Sequence, residues 1–552
     1  METGSGYATV VTMRVVLGLA ATALCALLLA GCGGGDEAAP AGGQVLRWGV
    51  GLPPKAEDPE STAWDILSSV QINVPWNLFD PLVKVDDDLR AVPNVAERWK
   101  WSDGGLTLTF HLRRDGRWTN GDPLTAHDYV FGWRYHMDEE PPGSGGGVFG
   151  GIAGAAAYVD CDRKERDCAS LWDDVGVRAL DDHTLEVRLV EPQPWFPELL
   201  GGYSCICFGP LHRGTVERFG ADWAEPQNIV TSGPFEVAAW RHGEVLELVK
   251  NEGWRDADEV ELDRIEVRFF PSTRRGAEAA AQALEVGELD VAGTDGATTS
   301  EHVVAYPFLQ TEYVALDVED IPDVRQRRAM ALALDRRTIA EEVREGLSRP
   351  ATSMTADGVP GFGRIASDFL RPEPQLERAR GLMAAVREPR RSIELWVVDD
   401  PVRLEEAAEV RASWRRIGIE ATIRSLPWEE FLDLAFERKL DDAHVIGWVY
   451  EAPYPAYLLD NWRCGNGLNL TGWCDPAYDR LLDRAAATTD GEARLDLYAR
   501  AEAMLTGPQG AMPVIPIVWG SRVMLERPAV RSTFDLNKAA LVDLTRVRVE
   551  RG

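Results

Sequence analysis

The sequence predicts an α/β protein of two or three domains. Three observations carry this. The chain has 552 residues, more than one hydrophobic core usually serves. Leu106, Leu108, Phe110 and Leu112 alternate with polar residues, the two-residue period of a half-buried strand. Val324, Met330, Ala331, Leu334 and Ile339 recur instead at helical spacing. Composition is ordinary for a globular chain, 45% hydrophobic and 27% charged. With 58 basic against 89 acidic residues, the net charge is −31. That argues against a nucleic-acid partner, which needs a basic face.

The N-terminus reads as an export signal. Arg14 precedes an apolar run from Val15 to Ala30, too short to span a membrane comfortably. Met13 makes a more natural start for such a segment than Met1. The run ends in Leu29-Ala30-Gly31-Cys32, which resembles a bacterial lipobox. The resemblance implies removal of residues 1–31 and lipid attachment at Cys32. The glycine-rich acidic stretch 32–44 then tethers the chain to the extracytoplasmic face of the cell membrane. In an exported chain, cysteines read as disulfides. Beyond Cys25 and Cys32 there are Cys161, Cys168, Cys205, Cys207, Cys464 and Cys474. Short spacing favours Cys161–Cys168 and Cys464–Cys474, and the pairing of Cys205 and Cys207 stays open. His212 is the only histidine near any of them, so no metal site is expected, and no cofactor.

Taken in order, Gln44 to Pro53 reads as a strand closed by glycine and proline. A loop, a helix and a turn follow. After the strand at Leu106–Leu112, Asn120-Gly121-Asp122-Pro123 signals a turn. Thr125 reads as an N-cap for a helix carrying Tyr129, Val130 and Trp133. Gly143 to Gly151 reads as a mobile loop or lid. Asp323 places negative charge at the start of the helix over 324–339, and Arg325, Arg327 and Arg328 are expected to form its solvated face.

The stretch Ile446–Leu459, IGWVYEAPYPAYLL, is the candidate site. Val445-Ile446 reads as the end of a buried strand, and Gly447 permits close approach to the backbone. Trp448, Tyr450, Tyr454 and Tyr457 surround Glu451. Pro453 and Pro455 are expected to hold the segment extended or turned, not helical. A carboxylate among aromatic rings on a stiff exit loop suits a cationic group.

Several blocks together are similar to extracytoplasmic solute-binding proteins of family 5, the oligopeptide and dipeptide receptors of ABC importers. They are AERWKWSDGGLTLTFHLRRDGRWTNGDPLTAHDYVFGW from Ala96, Val177–Phe196, Val216–Trp254, Ala283–Gly293, Asp323–Val343 and Trp414–Asp433. The resemblance implies an α/β, two-lobed periplasmic-binding-protein type II fold with an extra inserted domain, three domains from a discontinuous chain. Domain I comprises 45–75, 191–310 and 514–552, domain II comprises 76–190, and domain III comprises 311–513. Crossings between lobes fall near Gln310–Thr311 and Pro513–Val514. The implied partners are a peptide or other small solute and ABC permease subunits, with the receptor a monomer. Glu451 stands where peptide-binding members carry an aspartate that holds the ligand ammonium. Gly447, Trp448, Tyr450, Trp428 and Tyr454 complete the implied ligand site. Before Gly447 there is no basic residue for the far carboxylate, and His444 and Arg463 are the candidates. Other ligands within the same family are a metal chelate, haem, an oligosaccharide or an opine.

A secreted hydrolase is the rival class. Gly202-Tyr203-Ser204-Cys205-Ile206 lacks the last glycine of a nucleophile elbow, and no H-E-x-x-H occurs. No catalytic residues are expected.

Overall fold

Two long antiparallel strands, Val303–Leu316 and Val514–Glu526, run through the middle of one eleven-stranded mixed sheet. The computed structural model describes residues 43–52, 62–64, 73–138, 146–162, 167–202, 206–293, 300–365, 368–450, 452–530 and 543–550. Both strands are near-continuous apolar runs where they are buried on both faces, as from Tyr313 to Leu316. On one side of this pair, Val45–Gly51 runs parallel to both Arg264–Phe270 and Val291–Gly293. A hairpin, Phe235–Arg241 with Val245–Lys250, closes that edge. On the other side, Ala443–Val449 pairs with Val303–Leu316. Ser392–Val398 lies beyond it, parallel to it and to Glu420–Leu426.

The parallel strands are joined by crossover helices, as parallel pairing requires. Pro401–Arg415 links Ser392–Val398 to Glu420–Leu426, and Trp428–Phe436 leads on to Ala443–Val449. The first of these helices starts where its sequence says it should. Asp400 accepts from the Arg403 amide at 3.0 Å and Pro401 fills the first turn.

A separate four-stranded sheet carries the alternating block. Its order is Ala96–Ser102, Thr107–Leu112, Thr184–Arg188, Val177–Asp181. Leu108, Phe110 and Leu112 are buried as the alternation demands, but Leu106 precedes the strand and is exposed. Thr125 donates both its amide and its hydroxyl to Asp128 Oδ2, at 2.7 and 2.9 Å, at the start of the helix Ala126–Asp138. Trp133 on this helix is buried against Phe149 and Phe208. Phe149 is the reason the glycine-rich segment departs from a loose loop. Gly146–Gly151 is a 3₁₀ turn pinned by that fully buried ring, while 139–145 lie outside the described residues.

Of the three arginines expected on a solvated face of the helix Val324–Ala333, only Arg325 stays largely exposed, 43%, beside Asp323. Arg327 is 5% exposed and donates to the carbonyls of Ile321, Pro322 and Ala511 at 2.7, 3.0 and 2.9 Å. Burial pushes its guanidinium down to about 10. Arg328 donates to Gly510 O at 2.8 Å, and the buried Arg336 to Pro516 O at 2.8 Å. These carbonyls take up the donors that water would otherwise satisfy. They also fix where the strand Val514–Glu526 begins.

Cys161 and Cys168 are bonded, as are Cys464 and Cys474. Cys207 is also disulfide-bonded, and Cys205 lies outside the described residues, as do Cys25 and Cys32. Among the described residues, no helix is long and apolar enough to cross a membrane.

Candidate functional site

The strand Ala443–Val449 delivers the candidate stretch against the middle of the sheet. Gly447 stands opposite Glu312, and Trp448 opposite Thr311. The close approach that Gly447 permits is made by the neighbouring strand: a Cβ there would lie 3.0 Å from Gln310 Nε2. Trp448 is half-buried, and its indole N–H has no hydrogen-bond partner among the described residues.

Tyr450 is fully buried and ties the exit of the strand to the loop around Met354. Its hydroxyl donates to Met354 O at 2.8 Å and accepts from the Ala356 amide at 3.1 Å. Thr311 Oγ1 donates to the same Met354 carbonyl at 2.7 Å. The buried Glu502 takes the Met354 amide at 2.7 Å and the Thr355 hydroxyl at 3.0 Å. Trp519 Nε1 donates to Ser353 O at 3.2 Å. One short loop thus joins both long strands to the candidate stretch.

Glu451 lies outside the described residues. Beyond it, Pro455 does not keep the chain extended. It begins the short helix Pro455–Leu459, because proline at the first helical position sacrifices no hydrogen bond. Tyr454 is buried edge-on to Tyr498 at 5.7 Å, and its hydroxyl accepts from Arg494 Nε at 2.5 Å. Tyr457 meets Trp195 edge-on at 6.0 Å. Trp428, at the start of its helix, is 57% exposed. The structure therefore brings Gly447, Trp448 and Tyr450 together on one strand and its exit, and Tyr454 onto the next helix. A cavity of about 450 Å³ bounded by Phe131, Arg134 and Arg213 touches none of them.

Neither sequence candidate for a basic anchor is available. His444 is 3% exposed, and burial pushes its imidazole down to about 4, so it is neutral at ordinary pH. Arg463 is held by Asp460 at 2.6 Å and Asp483 at 2.7 Å.

A charge cluster that the sequence did not reveal lies directly behind Gly447. Arg344 reaches Glu312 at 2.5 Å and Glu406 at 2.7 Å, and Arg403 contacts both carboxylates. Burial alone would raise the Glu312 carboxyl, but the two guanidiniums overrule it and hold it low. Burial and the adjacent Glu312 charge push Glu406 up. Arg403 spends its NH1 on the two acids. Its NH2 bonds no described residue and lies 3.9 Å from where a Gly447 side chain would begin. An open guanidinium edge beside bare backbone is suited to an anionic group. Among the described residues, no group of His, Cys, Asp or Glu is placed to hold a metal ion.

Residues 90–469 match the family described as bacterial extracellular solute-binding proteins, family 5 middle. The chain belongs to the family 5 solute-binding proteins. This solute-binding protein is 30% identical over 508 residues to a probable deoxycholate-binding periplasmic protein of Escherichia coli, covering 88% of this chain and 90% of that one. It is 28% identical to the periplasmic oligopeptide-binding protein OppA of Salmonella typhimurium, covering 80% and 82%. Its fold is similar to the periplasmic murein tripeptide-binding protein MppA in an unliganded open form, with a TM-score of 0.78, 24% identity and coverage of 93% and 98%. The fold is therefore the α/β fold of type II periplasmic binding proteins. Its relatives are substrate-binding proteins, not enzymes, and act outside the cytoplasm.

Proposed function

We propose that this solute-binding protein captures short peptides between the two parts of its central sheet and hands them to a membrane ABC permease. Removal of 1–31 and lipid attachment at Cys32 would keep it at the extracytoplasmic face of the membrane. The observation that carries the reading is kinship over most of the chain with proteins named for peptide binding. The site chemistry supports it. Glu451 holds the ligand ammonium, Trp448 and Trp428 wall the ligand, and the open edge of Arg403 receives an anionic group over Gly447. Backbone pairing to strand edges supplies affinity without reading side chains. In this reading the domain segments 45–75, 76–190, 191–310, 311–513 and 514–552 form two lobes that close on ligand.

A second reading takes a steroid acid as the solute. The relative named for deoxycholate favours it. Such a ligand has a carboxylate for Arg403 but no ammonium for Glu451. A thermal-shift panel of di- to pentapeptides and deoxycholate separates the two, since ligand at 100 times Kd stabilises by about 2.7 kcal/mol. A response to peptides that Glu451→Gln abolishes supports the first reading. A response to deoxycholate alone, unchanged by Glu451→Gln, replaces it with the second.

A further inference from the structure

The two long strands that join the halves of the sheet lose their regular pairing at the same level. Pro307 pairs with Ser521 and Thr311 with Trp519, so Phe308, Leu309 and Gln310 stand opposite Gly520 alone. Bulges of this kind bend a strand and strengthen its twist. On its other side Gln310 pairs with Val449, two residues along from the pair Glu312–Gly447.

One side chain fills this level. A Cβ on Gly520 would lie 2.9 Å from both Cβ and Oε1 of Gln310, and a Cβ on Gly447 would lie 3.0 Å from its Nε2. Neither glycine has a positive φ. Backbone conformation therefore does not demand glycine at either place, and room for Gln310 does. The far end of the glutamine reaches Glu312 Oε1 at 3.4 Å, and Arg344 and Arg403 hold Glu312 from behind.

We propose that Gln310 is the stop of a two-strand hinge. Wedged between Gly447 and Gly520, it sets the resting angle between the two halves of the sheet. Bending about this level squeezes or releases the glutamine against both neighbouring strands at once, and packed contacts of this kind have discrete arrangements. The charge cluster keeps the wedge from swinging away. Gly447 also opens the candidate ligand stretch, so a solute seated there acts on the contact that sets the angle. This last link rests on the ligand reading above, and the hinge itself does not.

The test uses the full ligand-free chain and pulsed EPR distances. Labels go on Glu278 and Arg415, exposed residues on helices of opposite halves, by chemistry that spares the disulfides. Gly520→Ala is expected to move the mean distance by more than about 2 Å, the scale of a domain rearrangement. Gln310→Gly alone is expected to broaden the distribution, and the double variant to restore the mean. An unchanged mean and width in Gly520→Ala, or no restoration in the double variant, overturns the proposal. Should Gly520→Ala lose its circular dichroism, Gly447→Ala replaces it. The Cβ of that variant lies 3.0 Å from Gln310 Nε2, its tightest contact, with Glu312 Cγ at 3.4 Å and Arg403 NH2 at 3.9 Å, and absence of a shift there overturns the proposal equally. If the distances move as expected while peptides fail to raise the melting temperature, the hinge stands and the ligand reading falls.

Discussion

Tyr450→Phe isolates the contact that fastens the candidate stretch to the rest of the molecule. The ring is fully buried and phenylalanine preserves its packing, so the change removes one hydroxyl. That hydroxyl bonds Met354 O at 2.8 Å and the Ala356 amide at 3.1 Å. The two losses are unequal. Met354 O keeps Thr311 Oγ1 at 2.7 Å. The Ala356 amide, in a fully buried residue, has no other partner among the described residues. Orphaning a buried donor costs roughly 1–3 kcal/mol, so we expect a loss of about 2 kcal/mol. Urea denaturation followed by circular dichroism reads this as a lower midpoint at unchanged slope. Because Thr311 and Tyr450 share one carbonyl, Thr311→Val and Tyr450→Phe should be non-additive by about 0.5 kcal/mol or more. A midpoint equal to wild type, or strict additivity, would refute the claim that this loop is bonded as described.

Other consequences follow from the same geometry. His444 is neutral when folded, with its pKa lowered from 6.5 to about 4. The unfolded chain therefore binds a proton that the folded chain refuses, and stability falls as pH drops from 6.5 towards 4. The loss approaches about 3 kcal/mol, and His444→Phe should flatten that part of the pH–stability curve; an unaltered curve would show that His444 is not the cause. Arg344→Met leaves two buried acids sharing one guanidinium and should destabilise by about 3 kcal/mol in the same denaturation assay. Trp428→Ala, at an exposed position, should change stability by no more than about 0.5 kcal/mol. It should still weaken peptide affinity measurably by calorimetry; equal affinity would remove Trp428 from the site.

Local pattern made much of the fold legible. The alternating block became a strand, the helical spacing after Asp323 became the helix Val324–Ala333, which ends at the extended Leu334 short of Ile339, and the aromatic stretch begins on a buried strand. What stayed hidden depends on partners distant in the chain. Glu312 and Arg403 are 91 residues apart, and one of the carbonyls that take up the buried Arg327 belongs to Ala511, 184 residues away. Nothing beside an arginine in sequence records such a partner. Gly447 was readable as a place of close approach, but that the visitor is Gln310 depends on strand order. Pro455 misled because proline both ends extended segments and begins helices, and only its position relative to the turn decides between them.

The most direct test is calorimetric titration of a tripeptide into the native protein and into Glu451→Gln. The account predicts one saturable site whose affinity falls by about 1.5–3 kcal/mol in the variant, the scale of a charge-assisted hydrogen bond. Equal affinity in both proteins, or no heat of binding from any peptide, would contradict it.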